Sequence, residues 1–197
     1  MVLTREQWRH RLPHWEVLVH PHFVTIHCAN SLPLAARARI AEQHASLRGI
    51  QPNSPQFLII QRQYFLMAEK FLDRTEGFRP FLQDAICPLL LEAWNEWPAS
   101  FGWRVEHFAI MPNHVHFLMQ PDRPAPEKLR KVLSQFKGRT ARLANAMLAR
   151  SGAFWQADWF DRWMRSKAET VKVIEYIRQN PVKAGLVRHW QEYRWVQ

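Results

Sequence analysis

Apolar residues along the chain follow two spacings, and the change from one to the other outlines the predicted elements. Alternating, β-branched and aromatic stretches predict strands, bounded by turn residues. They occur at residues 16–28 (EVLVHPHFVTIHC), 103–111, 114–120 and 154–164. Pro112-Asn113 makes a tight turn between the second and third stretches, which predicts a hairpin.

Helical spacing marks the other elements. Pro33 opens a helix that Gly49 ends, and the segment 80–97 predicts a helix interrupted by Pro88. The periodicity of residues 57–72 does not distinguish a helix from a strand. The most amphipathic helix covers residues 127–150, with a predicted buried stripe of Leu129, Val132, Leu133, Phe136, Thr140, Leu143 and Met147. Its other face carries Lys131, Gln135, Arg139 and Arg142, which could follow a phosphate backbone or be an ordinary solvated surface.

The last helix presents a tyrosine and an amide together. Ser166 and Glu169 form a capping box at its start, and Pro181 predicts its end near Asn180. Its predicted buried stripe is Thr170, Val173, Ile174 and Ile177. Tyr176 and Asn180 are four residues apart and therefore project from the same side, at the edge of that stripe.

The composition predicts the cellular compartment of the chain and the class of its partner. The 197 residues are 47% hydrophobic and 22% charged, which indicates one globular domain spanning 1–197. The net charge of +10 favours a polyanionic partner, nucleic acid first and an anionic membrane surface second. No apolar run approaches the roughly 18 residues of a membrane span, and no signal-peptide core is evident at the start. Two cysteines far apart, Cys28 and Cys87, favour a reduced, cytoplasmic chain.

The predicted hairpin carries two histidines one residue apart, in the stretch MPNHVHFLMQ. On a strand, His114 and His116 share one face with Leu118, close enough together to bind one divalent ion. The pair alone is equally compatible with packed histidines. Leu118 stands where histidine-triad hydrolases have a third histidine, and a structural zinc site would need two further ligands that the cysteine spacing does not indicate.

Several motifs together resemble a known family. MPNHVHFLMQP is similar to the histidine–hydrophobic–histidine (HUH) motif of single-tyrosine transposases, and YIRQNPVKAGLV (176–187) is similar to the region of their nucleophile. SQFKGRTARLAN, FWQADWFDR and PHFVTIHCANSLPL resemble the REP-associated subgroup in the same order along the chain.

The resemblance implies an α+β, ferredoxin-like antiparallel sheet flanked by helices, with the HUH motif on a central strand. It implies that Tyr176 attacks a scissile phosphate to form a 5′-phosphotyrosine, while His114, His116 and Asn180 hold Mg²⁺ or Mn²⁺. The partner would be a single-stranded DNA hairpin of the REP type, contacted by Lys131, Lys137, Arg139 and Arg142. The chain would act as a monomer or a homodimer, and residues 51–80 look inserted relative to shorter relatives.

Two other functions stay open on the sequence. A non-catalytic nucleic-acid-binding protein would explain the charge and the aromatic residues. A metal-dependent nuclease that uses water would explain the histidines and leave Tyr176 without a role.

Overall fold

Six strands form two antiparallel sheets within the part of the chain that the computed structural model describes, residues 4–9, 13–46, 49–51, 54–74, 77–123 and 126–197. Strands β1 (Thr4–Arg9) and β2 (Pro13–Val17) pair with each other. The larger sheet contains β3 (His22–His27), β4 (Trp103–Ile110), β5 (His114–Pro121) and β6 (Phe160–Trp163) in the order β4-β5-β3-β6. The predicted α+β fold, with the histidine pair on a central strand, is confirmed.

Five α-helices accompany the sheets in these described residues: α1 (Leu34–Ala45), α2 (Pro55–Leu72), α3 (Cys87–Ser100), α4 (Leu129–Met147) and α5 (Lys167–Lys183). The ambiguous segment is therefore the helix α2, whose first turn contains Pro55 and is capped by the Ser54 side chain. No helix in the described ranges is both long and apolar enough to span a membrane.

The two faces of the larger sheet pack against different helices. On one face, alternate residues of β3 and β5 pack against α3 and α4; they include Val24, Ile26, Val115, Phe117 and Met119. On the opposite face, Phe23 and Leu118 pack against Val173 and Ile177 of α5. Since β-strand side chains alternate, His114 and His116 lie on this second face with Leu118. The histidine pair and α4 are thus on opposite sides of the sheet.

Two strand predictions need correction, and one strand was missed. The stretch 16–28 is two strands, because the chain turns between β2 and β3, with Val19 at a φ of +58° and Pro21 just before β3. In the stretch 154–164 only β6 is a strand, and Trp155 makes an isolated bridge to Cys28. The strand β1 was not predicted.

Three helix predictions also need correction. Pro88 does not interrupt a helix, because α3 begins at Cys87 and the proline falls in its first turn, where no N–H is missed. The helix α5 does not end near Asn180 but continues through Pro181 to Lys183. Leu143 and Met147 are 46% and 52% exposed, so the buried stripe of α4 is shorter than its spacing predicts.

Candidate metal and tyrosine site

The two histidines meet at their Nε2 atoms beneath α5. Both lie on β5 of the hairpin, and both side chains are fully buried. Nε2 of His114 lies 3.0 Å from Nε2 of His116. Each ring is oriented by its other nitrogen: Nδ1 of His114 donates to Asn113 Oδ1 at 2.7 Å, and Nδ1 of His116 lies 2.8 Å from the hydroxyl of Thr25, its cross-strand partner. Such second contacts fix ring orientation in metal sites.

Asn113 has its own fixed orientation, which assigns the His114 tautomer. Its Nδ2 donates to the carbonyl of Leu72 at 3.1 Å, so its Oδ1 must face the histidine as an acceptor. The proton of His114 is therefore on Nδ1 and the Nε2 lone pair points into the site. Burial, followed by the neighbouring His116, lowers the pKa of His114 to about 3, so the ring is neutral at pH 7, as a metal ligand must be.

Glu69 of α2 completes the cluster, and the sequence did not identify it. Its carboxylate lies 3.1 Å from Nε2 of His116 and accepts a hydrogen bond from the hydroxyl of Tyr176. Ligand atoms of Glu69, His114 and His116 all lie within 4.8 Å of one another. Burial favours the neutral acid, but the charge and hydrogen bond of His116 outweigh it and lower the pKa of Glu69 to about 2. The carboxylate is therefore ionised.

Tyr176 stands on α5 directly above this cluster. Its ring centroid is 5.5 Å from that of His116, and Phe23 and Phe65 flank it at 5.7 and 5.8 Å. Burial raises the pKa of Tyr176 well above its ordinary value, and the charge of Glu69 and the hydrogen bond to it add to the rise. The phenol is thus protonated, with its proton directed at the Glu69 carboxylate.

Asn180, one turn further along α5, lies at the edge of the same group. It is 1% exposed, and its amide contributes a hydrogen bond that partly offsets the raised pKa of Tyr176. Its Oδ1 and the Oε1 of Glu69 are buried acceptors that receive no hydrogen bond from any described residue. Buried acceptors normally have a partner. Two imidazoles, a carboxylate and an amide oxygen form a donor set that suits a divalent cation.

The predicted basic residues are not near this site. Lys131, Arg139 and Arg142 are exposed on α4, which packs on the opposite face of the sheet. Lys131 pairs with Glu127 at 3.2 Å, and Arg139 lies 3.9 Å from Glu96. Lys137 differs from these three because it is buried and its Nζ donates to the carbonyl of Ala157 at 2.7 Å. It does not belong to the exposed face of α4.

Lys183 is a cation beside the site that the sequence did not indicate. Its Nζ is 4.6 Å from the centroid of the Tyr176 ring, in the last turn of α5. Its position follows from the continuation of α5 beyond Pro181, which places residue 183 two turns after the tyrosine. A positive charge there can balance the charge of an incoming phosphate.

Comparison with known proteins found a matching family model, a similar curated protein and a similar solved structure. The family model described as "Transposase IS200 like" matches residues 70–180, a range that contains His114, His116, Tyr176 and Asn180 and begins one residue after Glu69. A putative REP-associated tyrosine transposase of Haemophilus influenzae is 27% identical, over 58% of this chain and 76% of that protein. The solved structure of a REP-associated tyrosine transposase bound to a REP hairpin has a similar fold, with a TM-score of 0.58 at 14% identity, covering 98% of this chain and 82% of that one.

Proposed function

Because this chain belongs to the family of IS200-like transposases, we propose that it cleaves and rejoins single-stranded DNA at hairpins of the REP type, with Tyr176 as the nucleophile. The observation that carries the proposal is the convergence of the Tyr176 hydroxyl with Glu69, His114 and His116. The relatives named above are REP-associated transposases, and one of them is bound to a REP hairpin, which supports this class of DNA as the partner.

The cation ligands in this proposal are His114 and His116, joined by the Glu69 carboxylate and the Asn180 oxygen. The chemistry of these donor atoms sets the choice of metal, because hard oxygen ligands and imidazole suit Mg²⁺ or Mn²⁺. When bound, such a cation would offset charge on the non-bridging oxygens of the scissile phosphate. The orphaned oxygens of Glu69 and Asn180 support the assignment of both residues.

The chemical step needs a proton acceptor for the tyrosine. The Tyr176 oxygen attacks phosphorus and forms a phosphotyrosine on the 5′ side, while the O3′–P bond breaks and the leaving O3′ takes up a proton from solvent to become a hydroxyl. The phenolic proton moves to the carboxylate of Glu69, which already accepts the hydrogen bond. Since the pKa of Tyr176 lies far above that of Glu69, the proton must transfer as the attack proceeds and not before it. A later attack by a 3′-hydroxyl reverses the step and rejoins DNA.

A denaturing gel tests the proposal. We expect the chain, hairpin single-stranded DNA and Mn²⁺ to give a covalent protein–DNA adduct that is lost with a chelator, with Tyr176→Phe and with His114→Ala. The matched control is Tyr193→Phe, because the Tyr193 hydroxyl donates to the Ile110 carbonyl on the far strand β4 and should leave the adduct unchanged. Cleavage without an adduct would instead indicate a nuclease that uses water. Binding with neither would indicate a non-catalytic binding protein.

A further inference from the structure

A cavity of about 390 Å³ opens beside the tyrosine site, between α1, α2 and the residues that precede β6. It shares two walls with that site: Thr25, which orients His116, and Glu69. Whatever occupies the cavity would therefore lie next to the group that reacts at Tyr176. Its size is in the range of small-ligand sites, which begin at about 300 Å³.

Aromatic side chains form much of the cavity wall. Tyr64 and Phe65 come from α2, Trp159 directly precedes β6, and Phe160 is the first residue of that strand. Phe65 and Phe160 stack on each other with their centroids 4.4 Å apart, which makes this part of the wall flat and firm. Flat aromatic surfaces beside a nucleic-acid site bind unpaired bases by stacking.

The polar groups of the cavity suit the remaining parts of a nucleotide. The Arg37 guanidinium is held at the rim by hydrogen bonds from its Nε to the Leu32 carbonyl and from its Nη2 to Asn30 Oδ1, each 2.9 Å long. Its other N–H groups are left for a phosphate. Gln156 is fixed through its backbone N–H, which donates to the His27 carbonyl at 2.9 Å. Its side-chain amide has no hydrogen bond to any described residue, so it can contact the edge of a base.

We propose that this cavity binds one unpaired nucleobase of the DNA strand, adjacent to the scissile phosphate, while Arg37 contacts the phosphate of that nucleotide. The proposal rests on the proposed function, since it takes DNA as the substrate. It adds a site for base selection by the protein itself, built by α1 and α2, where Tyr64 and Phe65 precede the residues that the family model matches.

The first test uses NMR to measure the binding of the four deoxynucleoside 5′-monophosphates to the full chain in the presence of a chelator. We expect at least one to bind in the millimolar range or tighter and to shift the Gln156 side-chain amide, with deoxyribose 5-phosphate binding about tenfold more weakly because it lacks the stacking base. Equal binding of deoxyribose 5-phosphate, or no binding of any of the four, would overturn the proposal.

Two variants locate the ligand. Ala41 lines the cavity from an exposed position of α1, so Ala41→Trp should fill the cavity and weaken nucleotide binding at least about tenfold, without disturbing the core. Ala38→Trp is the matched control, because Ala38 is exposed on the same helix and does not line the cavity. Equal loss in both variants, or loss in neither, would refute the site.

Arg37→Gln should remove the preference for a nucleotide over its nucleoside, and an unchanged preference would refute the phosphate contact.

The outcomes separate this proposal from the proposed function. If hairpin DNA gives the Tyr176 adduct but the nucleotides do not bind in the cavity, only the base site is wrong. If nucleotides bind and Ala41→Trp removes them, while no adduct forms with metal and DNA, the cavity is a nucleotide site and the strand-transfer function is wrong.

Discussion

Replacing Glu69 with glutamine should weaken cation binding and leave the surrounding fold intact. The substitution keeps the size of the side chain and its ability to hydrogen bond, and removes one buried negative charge 3.1 Å from Nε2 of His116. A charge-assisted contact of this kind is worth about 1.5–3 kcal/mol. A loss of about 2 kcal/mol corresponds to roughly thirtyfold weaker binding of a cation at this position.

The assay is a titration with Mn²⁺, in which electron paramagnetic resonance measures the free ion. Asp73→Asn is the matched control, because Asp73 is the C-cap residue of α2, one turn beyond Glu69, and the substitution likewise removes one carboxylate. Its carboxylate does not belong to the cluster of ligand atoms, so we expect less than about threefold weaker binding in this variant. Thermal melts of both variants show whether the fold is intact.

Two results would refute the reasoning about Glu69. Unchanged Mn²⁺ affinity in Glu69→Gln would mean that the carboxylate is not a ligand and serves only to hold Tyr176 and His116. Equal loss of affinity in Glu69→Gln and Asp73→Asn would mean that the helix acts through its overall charge.

Two further predictions concern stability. Burial disfavours charge on His14, but the charge of Asp161 and the hydrogen bonds to Asp158 and Asp161 outweigh it and raise the pKa of His14 to about 9. This stabilisation is complete below pH 6.5 and is lost as the pH rises to 9. The unfolding free energy measured with urea should therefore fall by up to roughly 3 kcal/mol over that range, and His14→Gln should abolish the dependence. Ser166→Ala removes the cap bond from the Glu169 N–H and should lower the unfolding free energy by about 1 kcal/mol, whereas an unchanged value would show that the cap does not stabilise α5.

Local signals were enough to predict the hairpin and the start of α5. The turn at Pro112-Asn113 and the alternation on either side of it fix the register that places His114 and His116 on one face. The Ser166 cap forms as its sequence predicts, and it sets the helical phase that brings Tyr176 over the histidines. These features depend on neighbours within a few residues, and sequence patterns report such neighbours well.

The helix α5 continues past Pro181 although the local sequence predicts that it ends before the proline. Proline disfavours helical geometry at the residue before it and removes one backbone donor. Asn180 and Pro181 are nevertheless buried, and the helix closes after the proline: the Ala184 N–H donates to the Asn180 carbonyl at 3.0 Å and the Leu186 N–H to the Pro181 carbonyl at 2.9 Å. Burial of these two residues therefore offsets the cost of the proline.

Glu69 was not predicted, because its partners lie far away along the chain. The periodicity of residues 57–72 did not distinguish a helix from a strand, so no face could be assigned to the residue. One signal was present: Glu69 is the single acidic residue of α2, and on a helix it shares a face with Phe65 and Leu72. A carboxylate within an apolar stripe is rarely buried without a partner, so it indicates an ion pair or a metal. That signal names no partner, and only the fold supplies His116.

The helix α2 contributes side chains to both the tyrosine site and the cavity beside it. It contributes Glu69 to the tyrosine site and Tyr64 and Phe65 to the cavity, while Phe65 also packs against Tyr176 at 5.8 Å. The histidines and the tyrosine come from β5 and α5, within the range that the family model matches, whereas these three residues of α2 precede it. On the proposed function, the nucleophile and the two histidine ligands thus belong to the matched part of the chain, whereas Glu69 lies just before it. The side chains that contact the neighbouring base would belong to α1, α2 and the segment before β6, so substitutions in α2 that spare Glu69 should change which DNA is cleaved more than how it is cleaved.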